Sequence, residues 1–333
     1  MLRFLGRSII IKRFQLSVVP TVAEITDDVS RFHKDIEIPV VRHLQSRHLV
    51  ETVTHEDLYE ARDNGQFKLY CGADPSAESL HLGNLLPLMV LLHFSLRGHD
   101  VVGLVGGATG AVGDPSGRST ERDTIAQNVR SQNVANILQQ ISLFLKNGRA
   151  YAESRGYPLK PAELTTEDNF SWWHLIGMLD FLALYGKHIR VSAMLARDSV
   201  QSRLESQSGI GYNEFSYQIL QAFDFWHLFL NKNVNMQIGG NDQWGNITAG
   251  IDLILRLQKS QNANIEESKR VEKPAYGLTV PLLTTPSGEK FGKSAGNAVF
   301  ISLKLTSPFQ IYQYFINTPD DMVEKLLKVF TVL

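Results

Sequence analysis

The stretch Tyr70 to Asn84, YCGADPSAESLHLGN, constrains the fold more than any other part of this 333-residue chain. It begins at the end of an apolar run, Phe67 to Cys71, that reads as a buried strand. Gly72 and the Asp74–Pro75 pair stop that strand. His81-Leu82-Gly83-Asn84 then opens an apolar helical run, Leu85 to Leu96. A strand, a turn and a helix N-terminus in this order make an anion site. The first N–H groups of a helix are unpaired, and its dipole is positive at that end. Gly83 carries no side chain, so a planar group can lie against the backbone there. His81 and Asn84 place side-chain donors beside it.

A second apolar run, Asp100 to Gly106, completes a strand–helix–strand unit. Such crossovers are right-handed and build parallel sheets. Val234 to Ile238 and Gly277 to Leu283 read as further strands. The expected fold is therefore α/β, a doubly wound parallel sheet of Rossmann type over residues 67–300, with ligands beyond the strand C-termini. Residues 24–66 read as an N-terminal arm of one or two helices ending at Asn64–Gly65. Residues 124–205 read as a helical insertion, from the helical spacing of Ile125, Val129, Ile137, Leu138, Ile141 and Leu145. Within it, Trp172 to Tyr185 is too apolar for a solvated face. Residues 258–273 read as a polar surface loop or helix tail.

Several stretches carry chemistry. Gly106 to Arg118, GGATGAVGDPSGR, is too rich in glycine for regular structure and includes Asp114. Tyr217, Gln221 and Asp224 are spaced i, i+4, i+7 in an otherwise apolar run, so they share one helical face. A polar stripe there is costly to bury without partners. Gly239-Gly240-Asn241-Asp242-Gln243 leads a strand into a helix, where Asp242 could also be a simple cap. Lys290 and Lys293 lie in KFGKS, after the last strand. Lys187, His188, Arg190, Arg197 and Arg203 cluster, as either a solvated face or an RNA contact.

Composition narrows the class. A hydrophobic content of 43% supports a sizeable core, and a formal net charge of −1 requires any RNA contact to be local. The single Cys, Cys71, excludes a disulfide framework and a cysteine-based zinc site. No apolar run reaches the ~20 residues of a membrane helix, so no membrane partner is expected. Residues 1–23 carry Arg3, Arg7, Lys12 and Arg13 among Leu, Phe and Ile, and the first acid is Glu24. That is the composition of a mitochondrial presequence.

His81-Leu82-Gly83-Asn84 resembles the nucleotide-binding signature of class I aminoacyl-tRNA synthetases, with Asn where the last His is usual. Tyr70 to Pro75 resembles the tyrosyl-tRNA synthetase version, and Lys290-Phe291-Gly292-Lys293-Ser294 resembles the second signature of the class. The resemblance covers about residues 35 to 333 and the N-terminal part of the family's length. Residues 301–333, from Ser307–Pro308 through a helix at Asp320 to Val332, resemble the start of its helical anticodon-binding domain.

The resemblance implies activation of L-tyrosine by ATP with Mg2+ and transfer to tRNA(Tyr), in a homodimer of the mitochondrial matrix. No protein-bound metal is expected. His81, Asn84, Lys290 and Lys293 would meet the phosphates. Tyr70 and Asp224 would hold the phenol, Asp114, Tyr217 and Gln221 the ammonium, and Gln243 the carboxylate. Cys71, Gly72, Asp74, Gly83, Gly240 and Asp242 would line the ATP site, with Cys71 and Asp242 at the ribose. Arg118 and Arg122 would either close over ATP or remain solvated. The dimer interface would include part of Trp172 to Tyr185. With only the start of the anticodon-binding region, tyrosine activation is expected to outlast tRNA charging. A tryptophanyl-type enzyme has no phenol for Tyr70 and Asp224 to bind. An RNA-binding or splicing protein without ligase activity would give no ATP–pyrophosphate exchange.

Overall fold

Alternation along the central strands explains how the sheet is covered. In the computed structural model, which describes residues 36–62, 67–117, 125–205, 209–263, 272–284 and 298–332, six strands form one sheet. They are β1 (Thr52–Val53), β2 (Lys68–Ala73), β3 (Asp100–Val105), β4 (Leu164–Asp168), β5 (Met236–Gly240) and β6 (Tyr276–Val280). The helices are α1 (Val40–Ser46), α2 (Leu82–Leu96), α3 (Gln127–Ser154), α4 (Phe170–Trp173), α5 (Met178–Leu184), α6 (Val191–Leu195), α7 (Asp198–Leu204), α8 (Tyr212–Lys232), α9 (Trp244–Gln261), α10 (Pro308–Ile316) and α11 (Asp320–Phe330).

Successive side chains of a strand face opposite sides. Leu69 and Cys71 of β2, with Val101 and Val105 of β3, enter one apolar cluster with α2 and with Ile137, Ile141 and Leu145 of α3. Tyr70, Val102 and Leu104 enter the other, with Phe223 and Phe225 of α8 and Ile247, Ile251 and Leu253 of α9. The long helix α3 lies so close to the sheet that a Cβ on Gly103 would stand 2.4 Å from Cγ2 of Ile141. Each sheet face thus carries helices, as the doubly wound class requires.

Strand order is β1-β6-β5-β2-β3-β4. All neighbours are parallel except β1 with β6. The chain winds from β2 outward through β3 to β4, then returns to the other side of β2 for β5 and β6. The order therefore reverses between β2 and β5, where the C-terminal strand ends leave a crevice for ligands.

Two stretches differ from the sequence reading. Residues 124–205 are not helical throughout, because Leu164–Asp168 is an edge strand parallel to β3. Its LTTED sequence is only half-buried, so it lacks the continuous apolar run that marked the central strands. The described part of the arm is less helical than its charge pattern implied. After α1 it forms β1, antiparallel to β6, and a 3-10 turn at Glu56–Glu60. Residues 1–35 and 63–66 lie outside the described residues. At the other end, α10 starts where Ser307–Pro308 indicated. The Ser307 hydroxyl accepts from Gln310 N, the Gln310 amide oxygen accepts from Ser307 N, and Pro308 occupies the first turn. Arg47 donates from Nε to the carbonyl of Lys328 at 2.9 Å, joining the arm to the end of α11.

Candidate active site

The first signature folds as a capped helix start. His81 is the N-cap of α2, in extended backbone. Its Nδ1 accepts from the Gly83 N–H at 3.1 Å, and Asn84 Oδ1 accepts from the His81 N–H at 3.1 Å. An Nδ1 used as acceptor leaves the neutral ring's proton on Nε2. Asn84, with its oxygen engaged, keeps its NH2 as a donor. The same turn is fixed from the far end of the chain. Leu82 N donates to Val299 O at 3.0 Å and Ile301 N to Leu80 O at 2.9 Å, an antiparallel bridge between His81 and Phe300. Lys290 and Lys293 lie outside the described residues, but both ends of their stretch are placed. Before that stretch, Val280 of β6 pairs with Gly240, and after it Val299 accepts from Leu82 N and Phe300 pairs with His81.

Behind the crevice lies a buried carboxylate. Asp224 of α8 is 2% exposed. Its Oδ1 accepts from the indole N–H groups of Trp172 (2.8 Å) and Trp173 (2.7 Å), and its Oδ2 from Asn169 Nδ2 (2.9 Å). Burial pushes its carboxyl up to about 7, against those three donors, which pull it down. Tyr70, 1% exposed, packs its ring on Phe225 at 5.5 Å. Among the described residues its hydroxyl has no hydrogen-bond partner. Burial, with the Asp224 charge second, holds that hydroxyl well above the usual phenol range, so it is a neutral donor. A carboxylate offers about four acceptor positions, and three at Asp224 are taken. Tyr70 and Asp224 together thus offer one donor and one acceptor, the complement of a hydroxyl group.

Asn169, Trp172 and Trp173 were not among the expected site residues. The tryptophans belonged to a stretch read as apolar core or subunit interface. The structure corrects that for their N–H groups, which converge on Asp224 because β4 ends beside β3. Asn169 follows β4, accepts from Ala108 N at 2.8 Å and donates to Thr109 Oγ1 at 2.8 Å, tying the glycine-rich loop to this pocket. The available signal was that a carboxylate on an apolar helix face needs donors, and Trp172-Trp173 supplies two. The rest of that stretch divides: Phe181 is buried in the α8 cluster, whereas Leu175 (75%), Met178 (66%) and Leu179 (80%) face solvent.

Nearer the strand ends, Asp114, Gln221 and Gln243 form one network. Gln243 Nε2 donates to Asp114 Oδ2 at 2.7 Å, and Gln221 Nε2 donates to Gln243 Oε1 at 3.1 Å. Asp114 Oδ1 accepts from Ser116 N at 3.0 Å. Asn246, another residue the sequence did not single out, joins all of them. Tyr217 donates its hydroxyl to Asp74 Oδ1 at 3.2 Å, so Asp74, expected at ATP, also meets the residue expected at the ammonium.

The remaining expected residues divide. Gly72 is exposed, with nothing within 4 Å of where a Cβ would stand, which leaves an open floor at the end of β2. Gly240 and Asp242 lie together at the end of β5, where a Cβ on Gly240 would stand 2.7 Å from Asp242 Oδ1. Gly83 is half-buried in the first turn of α2. Cys71 is 3% exposed inside the apolar cluster on the α2 side, which leaves it little surface for a ribose; burial pushes its thiol up to about 12. Arg118 and Arg122 lie outside the described residues. Among the described residues, no group of three or more His, Cys, Asp or Glu side chains could hold a metal ion.

A family model described as tRNA synthetases class I (W and Y) matches residues 62–333. The mitochondrial tyrosine–tRNA ligase of Saccharomyces cerevisiae is 53% identical over 300 residues, 88% of this chain and 59% of that relative. The chloroplastic/mitochondrial tyrosine–tRNA ligase of Arabidopsis thaliana is 45% identical over 297 residues, 88% of this chain and 54% of that relative. The chain thus spans less than two thirds of the length of these curated relatives. The crystal structure of a C-terminally truncated mitochondrial tyrosyl-tRNA synthetase from Aspergillus nidulans is similar, with a TM-score of 0.79 at 33% identity. That match covers 94% of this chain and 86% of that one.

Proposed function

The chain belongs to the class I tyrosyl-tRNA synthetase family, and from that premise we propose that it activates L-tyrosine with ATP and passes the acyl group to tRNA(Tyr) in mitochondria. The observation that carries this reading is the buried pair of Tyr70 and Asp224, an unpartnered hydroxyl beside a carboxylate with one acceptor position left. A tyrosine phenol accepts from Tyr70 and donates to Asp224. Asp114, Tyr217 and Gln221 receive the ammonium, and Gln243 turns an N–H toward the carboxylate. The carboxylate attacks the α-phosphate of MgATP, the magnesium arriving with its nucleotide. His81 Nε2–H, the Asn84 amide and the N-terminus of α2 donate to the phosphates, and Lys290 and Lys293 neutralise the departing pyrophosphate. Asp242 receives the ribose over Gly72 and Gly240. No side chain becomes covalent; catalysis is positioning plus electrostatic stabilisation.

Partners follow the same reading. Of the basic residues grouped by sequence, Arg203 is buried in an ion pair with Glu214 and Arg197 bonds Thr248, so neither belongs to an exposed cluster. Lys187, His188 and Arg190 remain, joined by Arg256. Desolvation first, then the charges of Lys187, Arg190 and Arg256, lower the His188 pKa, and this smaller cluster supports contact with the acceptor stem. The exposed apolar surface of Leu175, Met178, Leu179 and Leu184 supports a homodimer. Residues 1–23 act as the presequence, residues 67–300 as the catalytic domain, and residues 301–333 begin the anticodon-binding domain. The ligase-free RNA-binding alternative has no specific observation in its favour.

Tyrosine-dependent ATP–pyrophosphate exchange tests the reading, and a chain that gives none with tyrosine refutes it. Tyr70→Phe removes one neutral hydrogen bond and is expected to cost about 0.5–1.5 kcal/mol in the tyrosine-to-phenylalanine ratio of activation efficiencies. Lys293→Ala is expected to slow activation by roughly 10²–10³-fold with little change in tyrosine affinity, because its charge is needed only as the phosphates develop theirs. Weakened tyrosine binding with an intact rate would remove Lys293 from that role.

A further inference from the structure

Asn246, in the first turn of α9, is 7% exposed, and its amide nitrogen has four acceptors around it. They are Gln221 Oε1 at 3.0 Å, Gln243 Oε1 at 3.1 Å, Ser116 Oγ at 3.2 Å and Asp114 Oδ1 at 3.4 Å. These come from three other stretches of the chain: the loop after β3, helix α8 and the turn after β5. An amide has two hydrogens, so Asn246 is the shared donor of a ring whose other members are held mainly by one another.

The ring has a polarity. Gln243 points its nitrogen at Asp114 and its oxygen at the nitrogen of Gln221. Gln221 is then left with its oxygen toward Asn246. Each glutamine amide could in principle rotate by half a turn, exchanging donor for acceptor at almost the same positions. Carboxylate Asp114 fixes Gln243, because only the amide nitrogen is attracted to it. Gln221 receives its orientation from both sides, from the oxygen of Gln243 and from the nitrogen of Asn246.

We infer that Asn246 is a positioning residue that completes the polarity Asp114 starts, holding the Gln221 oxygen as an acceptor for the substrate's ammonium while leaving the Gln243 nitrogen to face its carboxylate. This rests on the tyrosine-activating reading above. Without the Asn246 donor, Gln221 loses one of its two constraints. It can then present N–H groups to a cation. Asn246→Asp is the sharper change. It keeps the size of the side chain, replaces the donor by an acceptor, and sets a second carboxylate against Asp114.

The test compares two ligands that differ at the group in question. Dissociation constants for L-tyrosine and for 3-(4-hydroxyphenyl)propionate, which lacks the ammonium, are measured by calorimetry on wild type, Asn246→Ala and Asn246→Asp. Pyrophosphate exchange supplies kcat and KM for tyrosine and for ATP, and near-ultraviolet circular dichroism reports the fold. Both variants are expected to weaken tyrosine by about tenfold or more, as for a misoriented hydrogen bond to a charged group. The propionate and the KM for ATP should move by less than about threefold. A general loosening of the site would weaken both ligands alike.

Equal losses for the two ligands, or unchanged tyrosine affinity in both variants, overturn the inference. If Asn246→Ala fails to fold and Asn246→Asp folds, the second variant decides; if neither folds, Asn246 is a folding residue and the inference is wrong. A wild-type chain that binds no tyrosine overturns the functional reading and this inference with it. A wild-type chain that binds tyrosine while the variants lose both ligands equally overturns this inference alone.

Discussion

Asp224→Asn is expected to lower tyrosine activation by roughly 10–150-fold while leaving the weak activation of phenylalanine nearly unchanged. The range is that of one hydrogen bond to a charged acceptor. The amide oxygen can still accept from Trp172 and Trp173, but its NH2 then stands where Oδ2 was, so it faces the Asn169 donor and leaves the phenol no acceptor. The measurement is the ratio of activation efficiencies for the two amino acids. An unchanged ratio would place the phenol elsewhere and reopen a tryptophan-type pocket. The same group sets a pH dependence. Burial raises Asp224 from 3.8 to about 7, so the folded chain holds a proton that the unfolded chain releases. Its contribution to stability is full below about pH 4 and is lost as pH rises through about 7. The melting temperature of wild type should therefore fall relative to Asp224→Asn between pH 5 and pH 8. Tyrosine affinity should do the opposite, rising through pH 7 as the stronger, ionised acceptor forms. Parallel pH profiles for the two proteins would show that Asp224 does not titrate there.

Glu214→Leu should cause the largest loss of stability, about 3–5 kcal/mol, because it strands a buried cation. Glu214 lies in the first turn of α8 and pairs with Arg203 at the end of α7 at 2.7 Å, with side chains 1% and 3% exposed. Arg203 also donates from Nε to Gly209 O at 3.3 Å, across residues 206–208, which lie outside the described residues. The pair fixes how the chain enters the helix that carries Tyr217, Gln221 and Asp224. Typical domains unfold with only about 5–15 kcal/mol, so the variant should show a large fall in its urea midpoint and reduced tyrosine affinity. Adding Arg203→Met should restore most of the stability, since an apolar pair of similar volume removes the stranded charge. A single variant with an unchanged midpoint would show the pair to be solvated.

What the sequence determined by itself was local. The turn after β2, the capped start of α2, the glycine turn before α9 and the polar stripe of α8 depend on neighbours within about two turns of chain. Their signals are periodicity, glycine and proline chemistry, and capping. Strands β2, β3, β5 and β6 were legible because central parallel strands are apolar on both faces. Edge strands β1 and β4 were not, since one is two residues long and the other is half-buried and polar.

Only the tertiary structure decided what surrounds Asp224 and Asp114. Asn169, Trp172 and Trp173 come from 51 to 55 residues before Asp224. They reach it because β4 pairs beside β3 and ends above the pocket. Asn246 reaches Asp114 across 132 residues of chain. An indole reads as an apolar side chain until its N–H is seen to have a partner, and an asparagine in a helix reads as neutral. Hydrogen-bond satisfaction inside a pocket is a property of several elements at once, and no short stretch of sequence carries it.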